Sequence, residues 1–191
     1  MRLAGEHVSL RFLEPPDAQA MLDLRIANRD FFSPLEPRPA ADHYTLDGQR
    51  REIERLIDER KHDRSYVFGI FETTGGRLIG RFGLSALYRR AWQNANLGYY
   101  VAQEQNGKGC GTEAVSLICR FVFEEASLHR VQAAVMPSNV ASRRVLEKVG
   151  FRHEGMAPHY LRINDRWEDH DIFAMTREDW DRIKAGHRAA Q

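Results

Sequence analysis

Apolar and polar positions along the chain switch repeatedly between a period of two and a period near 3.6, the pattern of strands alternating with helices. Residues 9–13 (SLRFL) alternate as a short strand. Pro15, Pro16 and Asp17 then open a helix with Ala18, Met21, Leu22 and Ile26 at helical spacing. Pro34, Pro37 and Pro39 forbid a long element between positions 29 and 44, so that stretch reads as a loop whose Phe31, Phe32 and Leu35 need cover. Positions 47–60 predict a charged amphipathic helix with Ile53, Leu56 and Ile57 inward. Positions 66–71 and 78–84 predict strands joined by the turn TTGG, and 95–101 a third. An apolar helix follows over 112–126, a strand over 130–135 and a short helix over 140–149. Two more strands are expected near 153–163 and 167–176, then a terminal helix or frayed tail over 178–190. No repeat or linker interrupts the pattern, so one α/β domain is expected over positions 1–191.

Composition narrows the function classes. Twenty-eight basic against 27 acidic residues leave a formal charge of +1, too little excess cation to hold nucleic acid by bulk electrostatics. No apolar run approaches the ~18 residues of a membrane span, and the first ten residues lack a signal-peptide core. Cys110 and Cys119 suggest no disulfide framework, which points to a reducing cytoplasm. The eight histidines show no metal-ligand spacing, so no metal is expected.

Candidate chemistry begins with residues 97–114, LGYYVAQEQNGKGCGTEA, where a strand runs through glycines 107, 109 and 111 into a helix. Glycines let an anion approach backbone amides, and the first N–H groups of a helix lack internal partners. The loop is therefore a place for a phosphate or pyrophosphate. Lys108 is followed by Gly109 rather than Ser or Thr, against a nucleoside-triphosphate loop, and Thr112 stands where a dinucleotide fingerprint needs Gly or Ala. Just after the strand at 130–135 comes NVASRRVLEKVGF, residues 139–151.

With both motifs in this order, the sequence resembles the GCN5-related N-acetyltransferase (GNAT) superfamily. Segments NRDFFSPLEP (28–37), YLRINDRWEDH (160–170) and TREDW (176–180) are similar to its branch that acetylates the N-terminal residue of ribosomal proteins. The resemblance implies a mixed, mostly antiparallel sheet, splayed between two central strands and flanked by helices. It implies acetyl-CoA as cofactor, its pyrophosphate on Asn106, Gly107, Lys108, Gly109, Cys110, Gly111 and Thr112. The pantetheine would pair with the strand ending at Tyr100 and Val101, with Asn139, Ser142 and Arg143 also contributing. Asn106 departs from the family's usual Gln or Arg.

The family's usual acid and base do not transfer. Asn96 stands near the strand glutamate's place, and Leu146 stands seven residues after the motif asparagine, where relatives carry tyrosine. Ser142 is the candidate acid, with Asn139 orienting a water or the pantetheine amide. Glu36, His159, Tyr160 and Asp169 are the candidate bases or ammonium receivers. An α-amine has a pKa near 8 and a lysine near 10.4, so roughly a quarter of the former is neutral near pH 7.5, against about a thousandth of the latter. A missing strand carboxylate thus suits a protein N-terminus better than a lysine. Cys110 lies inside the phosphate loop, away from the cofactor's thiol end, so direct transfer is expected rather than an acetyl-enzyme. The expected acceptor is a protein N-terminus, and the expected assembly a monomer or homodimer. A small-molecule amine acetyltransferase and a non-catalytic acyl-CoA-binding module remain the alternatives.

Overall fold

The computed structural model describes residues 1–189 and contains one eight-stranded sheet. Strands β1 (Arg2–Ala4) and β2 (Val8–Phe12) open the chain, and a 3₁₀ turn over Pro15–Asp17 leads into α1 (Ala18–Ala27). A single helical turn, α2 (Arg29–Phe32), precedes the proline-rich loop and α3 (Leu46–Lys61). Strands β3 (Tyr66–Glu72), β4 (Leu78–Tyr88) and β5 (Asn94–Val101) form a meander. Then come α4 (Cys110–Arg120), prolonged by a wider turn over Phe121–Glu125, and β6 (Arg130–Val135). Helix α5 (Val140–Val149), the long hairpin β7 (Arg152–Ile163) and β8 (Arg166–Thr176), and α6 (Arg177–Ala189) close the order. Ala190, the expected end of that last helix, lies outside the described residues.

Every strand pair is antiparallel except β5 with β6, and this one exception makes the cleft. The parallel pair is in register at Asn94↔Arg130, Ala95↔Val131 and Asn96↔Gln132 and then separates. A bond from Gln132 Nε2 to Asn96 Oδ1 (2.9 Å) closes the lower end of the split. The expected splayed, mostly antiparallel sheet is what the chain builds.

Alternation along the strands sorts the side chains onto two faces. Phe68, Phe82, Leu97 and Val131 join α4 and α5 in one core, with Ala114, Ile118 and Leu146. Val67, Leu78 and Tyr100 face the other way, against Met21, Leu24, Ile53 and Leu56 of α1 and α3. Thr45 caps α3 by accepting the Gly48 N–H (3.0 Å). Among the described residues no helix is long and apolar enough to cross a membrane.

Two sequence expectations need correction. Helix α1 buries Ala18, Met21, Leu24 and Arg25, while Ile26 is exposed. Arg25 is drawn inward by a carboxylate distant in sequence, which periodicity cannot anticipate. The supposed loop after residue 29 carries the α2 turn, whose Phe32 is buried against the Tyr100 ring (4.7 Å between centroids).

Candidate active site

A cavity of about 960 Å³ lies at the split between β5 and β6 and is lined by residues from both faces of the sheet. On the α4–α5 face its lining includes Asn106, Gly107, Gly109, Gly111 and Thr112. Gly107 (φ +77°) and Gly109 (φ +83°) sit in the left-handed region, and a Cβ at either would meet nothing within 4 Å. The first backbone bond closing α4 is Glu113 N–H to Gly109 O (3.0 Å), so the amides before it point out of the helix start toward the loop. Beyond Asn96 the edge of β5 facing β6 has no strand partner among the described residues, which leaves its backbone able to pair with an extended ligand. Open glycine cradle, helix N-terminus and free strand edge together fit the pyrophosphate and pantetheine of acetyl-CoA.

Ser142 lies at the start of α5. Asn139 Oδ1 accepts the Ser142 N–H (3.1 Å), which caps the helix and leaves the Asn139 amide nitrogen as its donor toward a ligand. Ser142 Oγ is 3.0 Å from the Tyr99 hydroxyl. Burial pushes the Tyr99 pKa up to about 12, partly offset by the Ser142 contact. Tyr99 therefore stays a neutral phenol; its hydroxyl also donates to the Ser142 backbone carbonyl (3.4 Å), and either hydroxyl can be the donor of the bond it shares with Ser142 Oγ.

On the opposite face, Glu36 lines the cavity with both carboxylate oxygens bonded to Arg25, one of them at 2.9 Å. Arg25 is only 3% exposed and stacks near Tyr100 (4.9 Å to the ring centroid). Burial is the largest single influence and opposes its charge, but the Glu36 hydrogen bond and the charge interactions with Tyr100 and Glu36 together outweigh it and raise its pKa. The floor is bare where Gly83 pairs with Gly98, since a Cβ on Gly98 would meet nothing within 4 Å. The hairpin tip between β7 and β8 hooks onto the loop after α2: Asn164 Nδ2 donates to Ser33 O (2.7 Å).

Not every expected residue reaches this space. Ser142, Asn139, Glu36, Tyr100 and Val101 line the cavity, but Lys108, Cys110, Arg143 and His159 do not. Arg143 turns to Asp171 on β8 (Nε to Oδ2, 3.3 Å), because the cavity-facing positions of α5 follow the helical repeat through Ala141, Arg144, Val145 and Lys148. That spacing was in the sequence and would have selected Arg144 and Lys148. Cys110 is buried with its Sγ 3.7 Å from Gln105 Oε1, and burial raises its thiol pKa, both unfavourable to a nucleophile. His159 and Tyr160 are exposed, and Asp169 accepts the His159 backbone N–H (2.8 Å) instead of facing the cavity. His170, inside a segment singled out above but not itself chosen, does line the cavity and is 3% exposed.

Comparison with known proteins agrees with this geometry. Residues 7–152 match the family model described as an acetyltransferase (GNAT) domain. A probable N-acetyltransferase of Bacillus subtilis, YjcK, is 44% identical over 93% of this chain and 98% of its own length. The Escherichia coli [ribosomal protein uS5]-alanine N-acetyltransferase is 31% identical over 94% of this chain and 93% of its own. The crystal structure of a ribosomal-protein-S5-alanine acetyltransferase from Vibrio fischeri superposes with a TM-score of 0.88 at 30% identity, covering 94% of this chain and 98% of that one. Mycobacterium smegmatis RimJ, in complex with CoA-disulfide, does so with 0.86 at 31% identity, covering 95% and 90%. The splayed sheet, the glycine cradle at its mouth and these matches place the chain in the GNAT family, as an acetyl-CoA-dependent N-acetyltransferase.

Proposed function

We propose that the chain acts as a single cytoplasmic domain that moves acetyl directly from acetyl-CoA to the N-terminal α-amine of a protein, with ribosomal proteins as the acceptor class. The observation that carries this reading is the bridged passage on the acceptor face. The loop bearing Glu36 and the hairpin tip bearing Asn164 meet through Ser33, and Glu36, Gly83 and Gly98 line the same cavity. Such a passage suits an extended chain end with a small first residue. Arg55, Arg64 and Arg81 line the same half of the cavity against Glu36 and Glu59, a balance that disfavours a polyamine. The relatives named for ribosomal-protein alanine support the same acceptor class.

Bound acetyl-CoA supplies the activated acetyl group. Glycines 107, 109 and 111 with the start of α4 hold its phosphates, and the free edge of β5 orients its arm. Glu36, held rigid by Arg25, attracts the substrate ammonium toward the split. Ser142, with Tyr99 behind it, donates a hydrogen bond to the departing sulfur. A thiol-release assay tests the reading with peptides starting in Ala, Ser or Thr, their N-formylated controls, and a panel of polyamines, amino sugars and amino acids. Free peptides should be turned over and formylated ones should not. Glu36→Gln should raise KM for the peptide more than it lowers kcat. Turnover of a small amine well above any peptide would make that amine the acceptor instead.

A further inference from the structure

His170 is buried, lines the cavity and is absent from the chemistry described so far. In β8 its neighbour Asp171 pairs with Val135 and turns to Arg143 and His153 on the α5 side. Alternation places His170 on the opposite face, the one that carries Tyr100 and Glu36. Its Nδ1 lies 3.0 Å from the Glu168 backbone carbonyl. A carbonyl oxygen can only accept, so Nδ1 is the donor and carries the proton of the neutral ring. The lone pair is then on Nε2, which has no hydrogen-bond partner among the described residues. The ring is further held by Tyr160, 5.5 Å away between centroids. Glu36, the other candidate on this face, already accepts from Arg25 through both oxygens.

We propose that His170 is the general base of the transfer, with Nε2 taking the proton of the acceptor ammonium. This deepens the proposed reaction and rests on its acceptor face, not on which amine occupies it. The balance is simple. The freed nitrogen pair forms the C–N bond to the acetyl carbonyl carbon, and the C–S bond breaks with its electron pair leaving on sulfur. Of the two protons the ammonium nitrogen sheds, one passes through Nε2 to solvent, and the other leaves the tetrahedral adduct and restores to Ser142, through solvent, the proton it gives to sulfur. The same backbone bond that fixes the tautomer stops the ring from turning its N–H toward the amine, where it would repel rather than accept.

The test compares wild type, His170→Gln and His170→Ala at saturating acetyl-CoA. The acceptor is an Ala-starting hexapeptide, or spermidine or glucosamine if wild type prefers one of these. That wild-type preference judges the acceptor reading, and the ratio of variant to wild type judges His170. Gln can still donate to the Glu168 carbonyl. It should fold, bind acetyl-CoA in calorimetry as wild type does, and lose about 10²-fold in kcat. Added imidazole should restore His170→Ala tenfold or more in a concentration-dependent way. A variant-to-wild-type ratio near one overturns the proposal, as does a loss that imidazole cannot relieve in a variant with the wild-type melting temperature. Independently of any variant, long-range ¹H–¹⁵N correlation on wild type should show His170 protonated at Nδ1, and an Nε2–H tautomer would overturn it.

Discussion

Gly109 can be substituted so that backbone strain and charge repulsion are read apart. Its φ of +83° costs an L residue about 1–2 kcal/mol, while the absence of any atom within 4 Å of a Cβ means no clash is added. For a chain of this size about 2–4 °C of melting temperature goes with each kcal/mol, so Gly109→Ala should melt ~2–8 °C lower. Its affinity for acetyl-CoA should change little. Gly109→Glu adds the same strain plus a carboxylate beside the pyrophosphate. One pair of like charges at about 4 Å and an effective dielectric of about 20 repel by ~4 kcal/mol, or about 10³-fold in Kd. Calorimetric titration and thermal melting on both variants separate the two effects. The reasoning fails if the glutamate variant binds acetyl-CoA within a fewfold of the alanine variant.

Ser142→Ala should lower kcat about tenfold or more with acetyl-CoA affinity unchanged, and Tyr99→Phe should lower it less; an unaltered kcat in the serine variant would reduce Ser142 to a helix residue. Asp179 is buried and accepts hydrogen bonds from Thr176 N–H and Oγ1 (both 3.0 Å) and from Arg152 and Arg182. Burial pushes its pKa up, but the Thr176 and Arg152 bonds outweigh burial and hold it below the usual carboxylate value. Its contribution to stability is thus complete above about pH 4 and is lost as pH falls through the lowered folded value. Asp179→Asn should lower the melting temperature at pH 7 by about 4–8 °C and flatten the acid limb of the stability curve, measured by melting between pH 2 and 7.

Most of the strand and helix order was legible because the longer elements run far enough to show their own period. The glycine loop could be read as an anion site because its chemistry is local: glycines, then a helix start. What escaped were features made by pairing across the chain. Arg25 is buried by Glu36, eleven residues on, and by Tyr100 on the central sheet, so the inward face of α1 could not be read from α1. His170 acquires its face from the β6–β8 register and its tautomer from a carbonyl two residues back, neither visible as a motif. Strand β1, only three residues long, carries too little alternation to announce itself. A motif match gives a neighbourhood, whereas the helical phase decides that Arg144 lines the cavity and Arg143 turns to Asp171.

The pleat of β5 has a consequence for how this enzyme can change. Tyr99 and Tyr100 are adjacent in sequence yet lie on opposite sides of the sheet, one against Ser142 and the other against Arg25. Odd positions of the strand face α4 and α5, and even positions face α1 and α3, with Gly98 and Tyr100 lining the cavity on that side. On the proposed reading, a lineage can redraw the acceptor it serves through Gly98 and Tyr100 and leave the cofactor side untouched. Inheritance of the reaction and drift of the substrate are separated by one alternation of a single strand.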